Sequence, residues 1–567
     1  MIMKILVAAA LPFLAAVCVA APAEMTISVP AEAFVKDLSA LGCAPGFGYN
    51  DDLRSVSTGE ADVFYSQRTN ETARAFRAAG VRVLRAGSVL DWQGEFASRL
   101  GVAARRPSRR LQVLDPATDW HFAPLGDFYG FCKANGVKFV VMLSPKVLDE
   151  SKKELTSDPQ KVLEVTMAYL RWIRAQGFEE VVAGFEMENE PYFGTDLDGY
   201  VARWRLLLPA IRREWPKTPI GMPIARYSND DPDLVAVRAA ALRKDRIATD
   251  NGKDVEHLNQ WNGNVATGLG KEALDCITHL VIHVYGAEGH WNTNINGINR
   301  ARVVQRILPE LAGKKFWITE WRERSRENPY SHRAFRMTLW KALFLQMTLR
   351  QKDVDLVCLH DLGRVSGGLY VARDGKWQYG FGPEGKADVI PDSGWTGVAH
   401  LDVGGPGALF RLYGDLVMRC PVVLAGGAPN GDRESIVFYE SVKDYTKARM
   451  EKGVDDPSVI RGGLGWLALA DRGRTRVGLL LVNTSAEPIA VKADFKGRTL
   501  ASPLFRVLSA PADRLDVYET PGDPKPWRLE SWMDKLPPCD RFAVPPHSAM
   551  TVEFGTVSVK PKPPSAR

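Results

Sequence analysis

Residues 184–192 read GFEMENEPY and follow the apolar run Val181, Val182, Ala183. The order apolar, acidic, proline describes a strand that turns polar at its carboxyl end and stops. Pro191 has no N–H for a sheet ladder, and its ring biases Glu190 toward extended backbone. Glu190 is therefore expected as a carboxyl group held at a sheet rim, with Asn189 beside it as a neutral donor and acceptor. Sheet rims are where α/β folds keep their chemistry.

On both sides of this strand, from residue 41 onward, short apolar runs alternate with amphipathic stretches of helical length. That alternation is the pattern of a parallel sheet wrapped by helices. Candidate strands lie at 41–49, 81–86, 138–143, 181–190, 219–224, 277–285, 315–320 and 354–360. Eight is the number that closes a barrel. Helical spacing marks 69–79, 158–176, 200–215 and 332–349, with 405–420 as the last barrel helix. The stretches 91–120, 251–270 and 363–404 read as long insertions on the rim. Beyond Pro421 the runs are short and β-rich, at 435–439, 465–470, 477–483, 490–495 and 550–554, with turn residues between them. An antiparallel sandwich fits that rhythm. The predicted fold is an α/β (β/α)8 TIM barrel over 41–420 followed by a C-terminal antiparallel β-sandwich domain over 421–556. Residues 24–40 are a candidate addition to the sandwich, and 557–567, rich in Pro, Lys and Ser, read as a disordered tail.

A chain of 567 residues, 45% hydrophobic, supports more than one domain, and its formal charge of +6 is small for that length. It offers no basic stripe for nucleic acid or an anionic membrane. Residues 1–23 carry Lys4, an apolar run over 5–20, and small residues suited to cleavage after Ala20 or Ala23. This is the pattern of an export signal peptide, and a secreted or periplasmic location follows from it. A retained anchor is the alternative; Cys18 raises lipidation, against which the bulky Val17 counts. The remaining cysteines, Cys43, Cys132, Cys276, Cys358, Cys420 and Cys539, show no metal-ligand spacing. They read as buried thiols, with an occasional disulfide as the other option. No metal, no cofactor and no later membrane span is expected, and the oligomeric state is not legible.

A second acidic strand end answers the first. In residues 314–321, KKFWITEW, a two-residue period puts Phe316, Ile318 and Glu320 on one face, so Glu320 enters the lumen if the two apolar residues do. Glu190 ends the fourth strand and Glu320 the seventh, rims that face one another across a barrel mouth. Two carboxyl groups about 5 Å apart suit a glycosidase that works by double displacement, one group serving as acid and then base while the other attacks the sugar carbon. Their mutual repulsion helps keep a proton on one of them. Alternation also aims Glu186 and Glu188 inward, and three unpaired carboxylates in one lumen cost too much. At least one has to pair with an arginine, for which Glu186 and Arg85 are the natural choice, or turn aside at a bulge. The chain has 15 tryptophans, and Trp92, Trp120, Trp261, Trp291, Trp321 and Trp377 fall in the expected rim loops. Flat aromatic faces stack on sugar rings, although ordinary packing explains any single one. Glu323 and Glu327 read as solvated loop charges.

The triplet Asn189, Glu190, Pro191 at a fourth strand, joined to a second glutamate in ITEW at a seventh, resembles the clan A glycoside hydrolases over about residues 41–420. The resemblance implies a retaining enzyme on a (β/α)8 barrel, often with a sandwich attached. It implies Glu190 as acid/base, Glu320 as nucleophile and Asn189 as a hydrogen-bonding partner of the sugar 2-hydroxyl. Arg85, in VLRAGS at the second strand end, matches an arginine that orients the nucleophile in the clan; a surface arginine is the alternative. His283 and Tyr285, in VIHVYG, flank the place of the nucleophile, where a tyrosine hydroxyl can hold a carboxylate ionised; core packing is the alternative. Trp321, beside Glu320, completes the candidate sugar-binding set with His360. His360 and Asp361 close the eighth strand where many clan members have tryptophan, and Glu188 stands where an apolar residue is usual. The expected partner is a carbohydrate substrate. A non-catalytic carbohydrate-binding protein on the same scaffold is the other reading. A metal-dependent hydrolase would need clustered His and Asp at strand ends, and only His283 and His360 are in place.

Overall fold

The structure, a computed structural model, describes residues 24–38, 46–50, 69–85, 125–149, 151–152, 154–225, 255–287, 298, 301–302, 304–306, 308–324, 335–360, 362, 369–373, 376–377, 399–427, 463–511, 513, 515, 527–533 and 540–558. Outside them lie the expected leader at 1–23, the expected loop at 91–120, the run at 435–439, Cys43, Cys539, Trp92, Trp120, Trp291, Glu327 and Asp361. The side chains of Tyr285, Glu323 and Trp377 are likewise outside the description.

Eight strands close a barrel in chain order: β1 (Phe47–Asn50), β2 (Val83–Arg85), β3 (Lys138–Leu143), β4 (Val182–Met187), β5 (Ile220–Pro223), β6 (His279–Ala287), β7 (Lys315–Arg324) and β8 (Val354–His360). Every neighbouring pair is parallel, and β8 closes onto β1 with Val357 opposite Phe47. The helices are α1 (Thr69–Ala78), α2 (Leu125–Ala134), α3 (Pro159–Ala175), α4 (Leu197–Glu214), α5 (Val255–Cys276), α6 (Phe335–Arg350) and α7 (Gly405–Arg419). Local signals fix their ends. Asp158 caps α3 by accepting from the Lys161 amide at 2.9 Å, Pro159 opens it, and Gly177 leaves it with φ +71°. Asp196 caps α4 through the Gly199 amide at 2.8 Å.

The stretch 251–270, expected as a rim insertion, is largely the first part of α5. Trp261, Val265 and Leu269 recur every four residues and are buried, which is the helical signal that its glycines and asparagines dilute, and Gly270, with φ +70°, kinks α5 after them. Trp261 consequently lies in the core against Tyr200, ring centroids 5.3 Å apart, and not on a groove.

The second unit is a pair of sheets. Strands Lys36–Asp37, Val422–Gly427, Leu464–Ala470, Arg476–Asn483, Ser548–Ser558, Arg498–Ser509 and Arg528–Met533 form one antiparallel sheet in that spatial order. Met25–Val29, Ile489–Phe495 and Arg541–Val544 form the other, the first pairing parallel with the second. Ile27, Val29, Leu479, Leu481, Val491, Phe495, Val552 and Phe554 share one core between them. The last strand runs two residues past the expected tail boundary, to Ser558. Helix α6 is buried on every side from Met337 to Leu349 because it is clasped between β8 and the sandwich strands. Cys132, Cys276 and Cys420 are buried free thiols, and Cys358 is buried as well.

Inside the barrel, Val83, Val140, Ala183, Val281, Trp317, Leu356 and Cys358 form an apolar layer. The Trp317 indole fits because β4 and β5 carry glycine beside it: a Cβ on Gly184 would sit 2.4 Å from the ring and one on Gly221 2.7 Å from it. Phe316 and Ile318 belong to the core between barrel and helices, so the parity argument for Glu320 fails as stated. The register of β7 slips between Ile318 and Glu320 against β6, leaving Thr319 as an extra residue. That bulge resets the alternation and turns Glu320 into the lumen.

Candidate active site

Arg85 ends β2, and the alternation that aims Val83 into the apolar layer aims Arg85 one level higher, toward the carboxyl ends of the strands. Its guanidinium is buried and makes four hydrogen bonds. Nε donates to Glu186 Oε2 at 2.7 Å and Nη2 to Glu186 Oε1 at 2.5 Å, a two-pronged grip that suits a carboxylate. Nη1 donates to Glu320 Oε1 at 2.8 Å, and Nη2 also reaches Asn189 Oδ1 at 2.7 Å. Burial works against the charge, but Glu186 and Glu320 outweigh it and hold the arginine above its ordinary pKa. Glu186, fully buried, also accepts from Thr319 Oγ1 at 3.3 Å. Thr319, the bulge residue, is a member of the cluster that the sequence did not single out.

The three acids of the lead stretch part company. Glu186 faces the lumen and Arg85. Glu188 has φ +62°, which turns it out of the lumen toward α4. There its Oε1 accepts from Arg203 Nη2 and Trp204 Nε1, both at 3.0 Å, and burial raises its pKa against the pull of Arg203. Glu190 has φ +45°, in the left-handed region, where the proline rule predicted extended backbone. A tight turn overrides the rule, closed by the Phe193 amide on the Glu190 carbonyl at 3.0 Å and the Thr195 amide on the Pro191 carbonyl at 3.1 Å. Such a conformation costs on the order of 1–3 kcal/mol for a residue with a Cβ and persists where its surroundings over-determine it. The Glu190 carboxylate meets His283.

His283 shares the inward parity of Val281 on β6 and is buried. Its Nδ1 lies 2.9 Å from Glu190 Oε1 and 3.3 Å from Glu320 Oε2, bridging the two acids. Its Nε2 is buried with no hydrogen-bond partner among the described residues. One donor atom from each of Glu190, His283 and Glu320 lies within 4.8 Å of the others. The carboxylates differ in access: the side chain of Glu320 is 10% exposed and that of Glu190 28%. Two carboxylates and an imidazole are also donors a metal ion accepts. The expectation of no metal rested on sequence spacing, whereas the fold draws these three together from distant strands; a cation there would share Glu320 with the Arg85 guanidinium.

Asn189 is half-buried, and with its oxygen given to Arg85 its amide N–H groups are the donors left for the mouth. Trp321, expected at the sugar site, is fully buried on the opposite face of β7, stacked on Phe344 at 3.9 Å and near Trp340 at 5.6 Å. The bulge that brings Glu320 inward sends its neighbour out to α6. His360 closes β8 with a half-buried side chain, its backbone paired with Asn50. Tyr285 belongs to β6, and only its backbone is described. Phe193, which the sequence reading passed over, is 48% exposed beside Glu190 and packs edge-on against Tyr192 at 4.7 Å. The aromatic pair directly after Pro191 was the available signal.

No protein-family model matches the chain, and no curated protein matches it in sequence. Solved structures do match in fold. The thermostable GH51 α-L-arabinofuranosidase of Thermotoga petrophila superposes with a TM-score of 0.55 at 14% identity, covering 94% of this chain and 99% of that one. The α-L-arabinofuranosidase of Thermotoga maritima, in complex with arabinose, gives 0.54 at 13% identity over 94% and 100% of the two chains. The GH51 arabinofuranosidase of Xanthomonas axonopodis pv. citri gives 0.51 at 13% identity over 94% and 99%. The chain therefore shares, over nearly its whole length, the barrel-and-sandwich fold of these arabinofuranosidases, the architecture that the clan A resemblance implied.

Proposed function

We propose that the chain is an exported retaining glycoside hydrolase, with Glu320 as nucleophile and Glu190 as acid/base. One observation carries the reading: the two carboxyl groups come within 4.8 Å across the barrel mouth. Retaining enzymes hold the pair about 5–5.5 Å apart, whereas inverting ones leave about 6.5–9.5 Å for a water. The roles follow from the surroundings. Glu320 receives the Arg85 N–H at 2.8 Å, which favours a carboxylate ready to attack. Glu190 has no arginine contact among the described residues and is the more exposed, so it is the group placed to carry and exchange a proton.

In the first step Glu320 attacks the anomeric carbon, the glycosidic C–O bond breaks, and Glu190 gives its proton to the leaving oxygen. In the second, Glu190 takes a proton from water, whose oxygen attacks the same carbon and releases Glu320. Export rests on the apolar leader at 1–23. Arabinofuranosides come first as substrates to test, because the fold neighbours act on them by name. NMR of the freshly released sugar tests the mechanism: retention of the anomeric configuration is expected, and inversion overturns it. Labelling by a mechanism-based fluoro-sugar separates catalysis from mere binding, since a non-catalytic binder leaves Glu320 unlabelled.

A further inference from the structure

Away from the carboxylate cluster, α1, α7 and the sandwich strands Arg498–Ser509 and Arg528–Met533 enclose a cavity of about 700 Å³. Its size lies within the roughly 300–1,000 Å³ of small-molecule sites. The sandwich side carries Trp527, half-buried, and Leu529, 50% exposed, with Arg506 projecting from the same sheet face, since Arg506 pairs with Ser531 and Leu508 with Leu529. The helix side carries Arg74 and Arg411.

The charges in the lining are not balanced. Asp415 lies 2.6 Å from Arg411 Nε, 3.5 Å from Arg506 Nη1 and 3.7 Å from Arg82 Nη2, so one carboxylate serves three guanidinium groups. Arg411 spends a further donor on the Arg77 carbonyl at 2.5 Å, while the Arg506 side chain makes no hydrogen bond among the described residues. Arg74 is exposed and has no ion-pair partner among them either. Among the described lining residues Glu530 is the one other acid, and it is exposed on its strand. Positive charge with unused N–H donors therefore lies beside apolar side chains around a space of ligand size.

We propose that this cavity is a second carbohydrate site that takes an acidic saccharide, with a uronate carboxylate on Arg506 and Arg74 and a sugar C–H face on Trp527. A planar guanidinium suits a carboxylate, and an indole edge or face suits the apolar side of a pyranose. A neutral sugar leaves the arginines unanswered, and a bare inorganic anion leaves the Trp527 and Leu529 wall unused. The inference is independent of the proposed hydrolysis, because binding is read without turnover.

Calorimetric titration of the full chain tests it, with an oligogalacturonate, a neutral oligosaccharide of equal length, and inorganic phosphate as probes. The uronate is expected to bind about tenfold to a hundredfold more tightly than either control, as charge-assisted hydrogen bonds would give. Arg506→Gln should lose that margin, and Arg74→Gln, on an exposed side chain, repeats the test without risk to the fold. Glu320→Gln should bind the uronate as the parent does. Equal binding of the neutral sugar or of phosphate overturns the proposal. So does parent-like binding by both arginine variants, or loss of binding in Glu320→Gln, which would put the acidic sugar at the barrel mouth.

Discussion

Replacing Arg85 by lysine keeps the positive charge and removes the fork. In the parent one guanidinium holds Glu186 through two N–H groups, Glu320 through a third, and Asn189 as well. A lysine ammonium is a compact point on a flexible stem and does not cover both acids from one position. Glu186 is fully buried, so the ammonium is expected to stay with it and to leave Glu320. The lost hydrogen bond to Glu320, the proposed nucleophile, is charge-assisted and worth about 1.5–3 kcal/mol, which corresponds to roughly a 10- to 150-fold fall in kcat. KM should change less, since Arg85 contacts the carboxylates and the asparagine and reaches the mouth only through them. A buried ion pair weakened on one side also costs stability, up to about 3–5 kcal/mol if the charge is left uncompensated. Steady-state kinetics on an aryl glycoside, alongside thermal melts, read both effects. A variant with parental kcat and an unchanged Tm would refute the claim that the fork organises the mouth.

Glu320→Ala should abolish hydrolysis of every substrate, while Glu190→Ala should slow poor leaving groups by about 10²–10⁴-fold and spare activated aryl glycosides more; kinetics across a leaving-group series reads the difference. Lys36, which donates to the carbonyls of Gln351 (2.9 Å) and Val354, has its pKa lowered by burial from 10.5 to about 7, Asp355 and Asp353 opposing. The unfolded chain then binds more protons between those values, so stability should rise with pH through that window by up to about 5 kcal/mol, and Lys36→Met should flatten the rise in chemical denaturation. Gly184→Ala puts a methyl 2.4 Å from the Trp317 ring, and overpacking of this kind costs about 1–3 kcal/mol, seen as a lower Tm. Arg203→Ala leaves the buried Glu188 with Trp204 Nε1 as its remaining donor, and a destabilisation of about 3–5 kcal/mol is expected; a neutral shift in melting would contradict the outward placement of Glu188.

Period and punctuation carry the barrel. The parallel strands are short apolar runs, and helices such as α3 begin at Asp158-Pro159 and end at Gly177, so their order was legible residue by residue. What escaped were departures from period. Glu320 enters the lumen through a bulge at Thr319 that no two-residue count contains, and the same bulge sends Trp321 to the core. Glu190 takes a left-handed backbone because the turn behind it is closed by hydrogen bonds, a tertiary effect that outweighs the local preference before proline. Glu188 leaves the lumen by the same device, toward partners fifteen and sixteen residues on that only the folded α4 presents. Trp261 looked like a groove residue because α5 is rich in glycine and asparagine, and burial decides its place.

The strand Met25–Val29 reaches its place beside Ile489–Phe495, with Met25 opposite Val491. On the ribosome it emerges long before its partner, and the whole barrel is synthesised in between. Ile27 and Val29, destined for the sandwich core, stay without their sheet until translation is nearly complete. A nascent chain that stops short of residue 489 keeps that segment uncovered, a ready handle for chaperones or proteases that sense unfinished product.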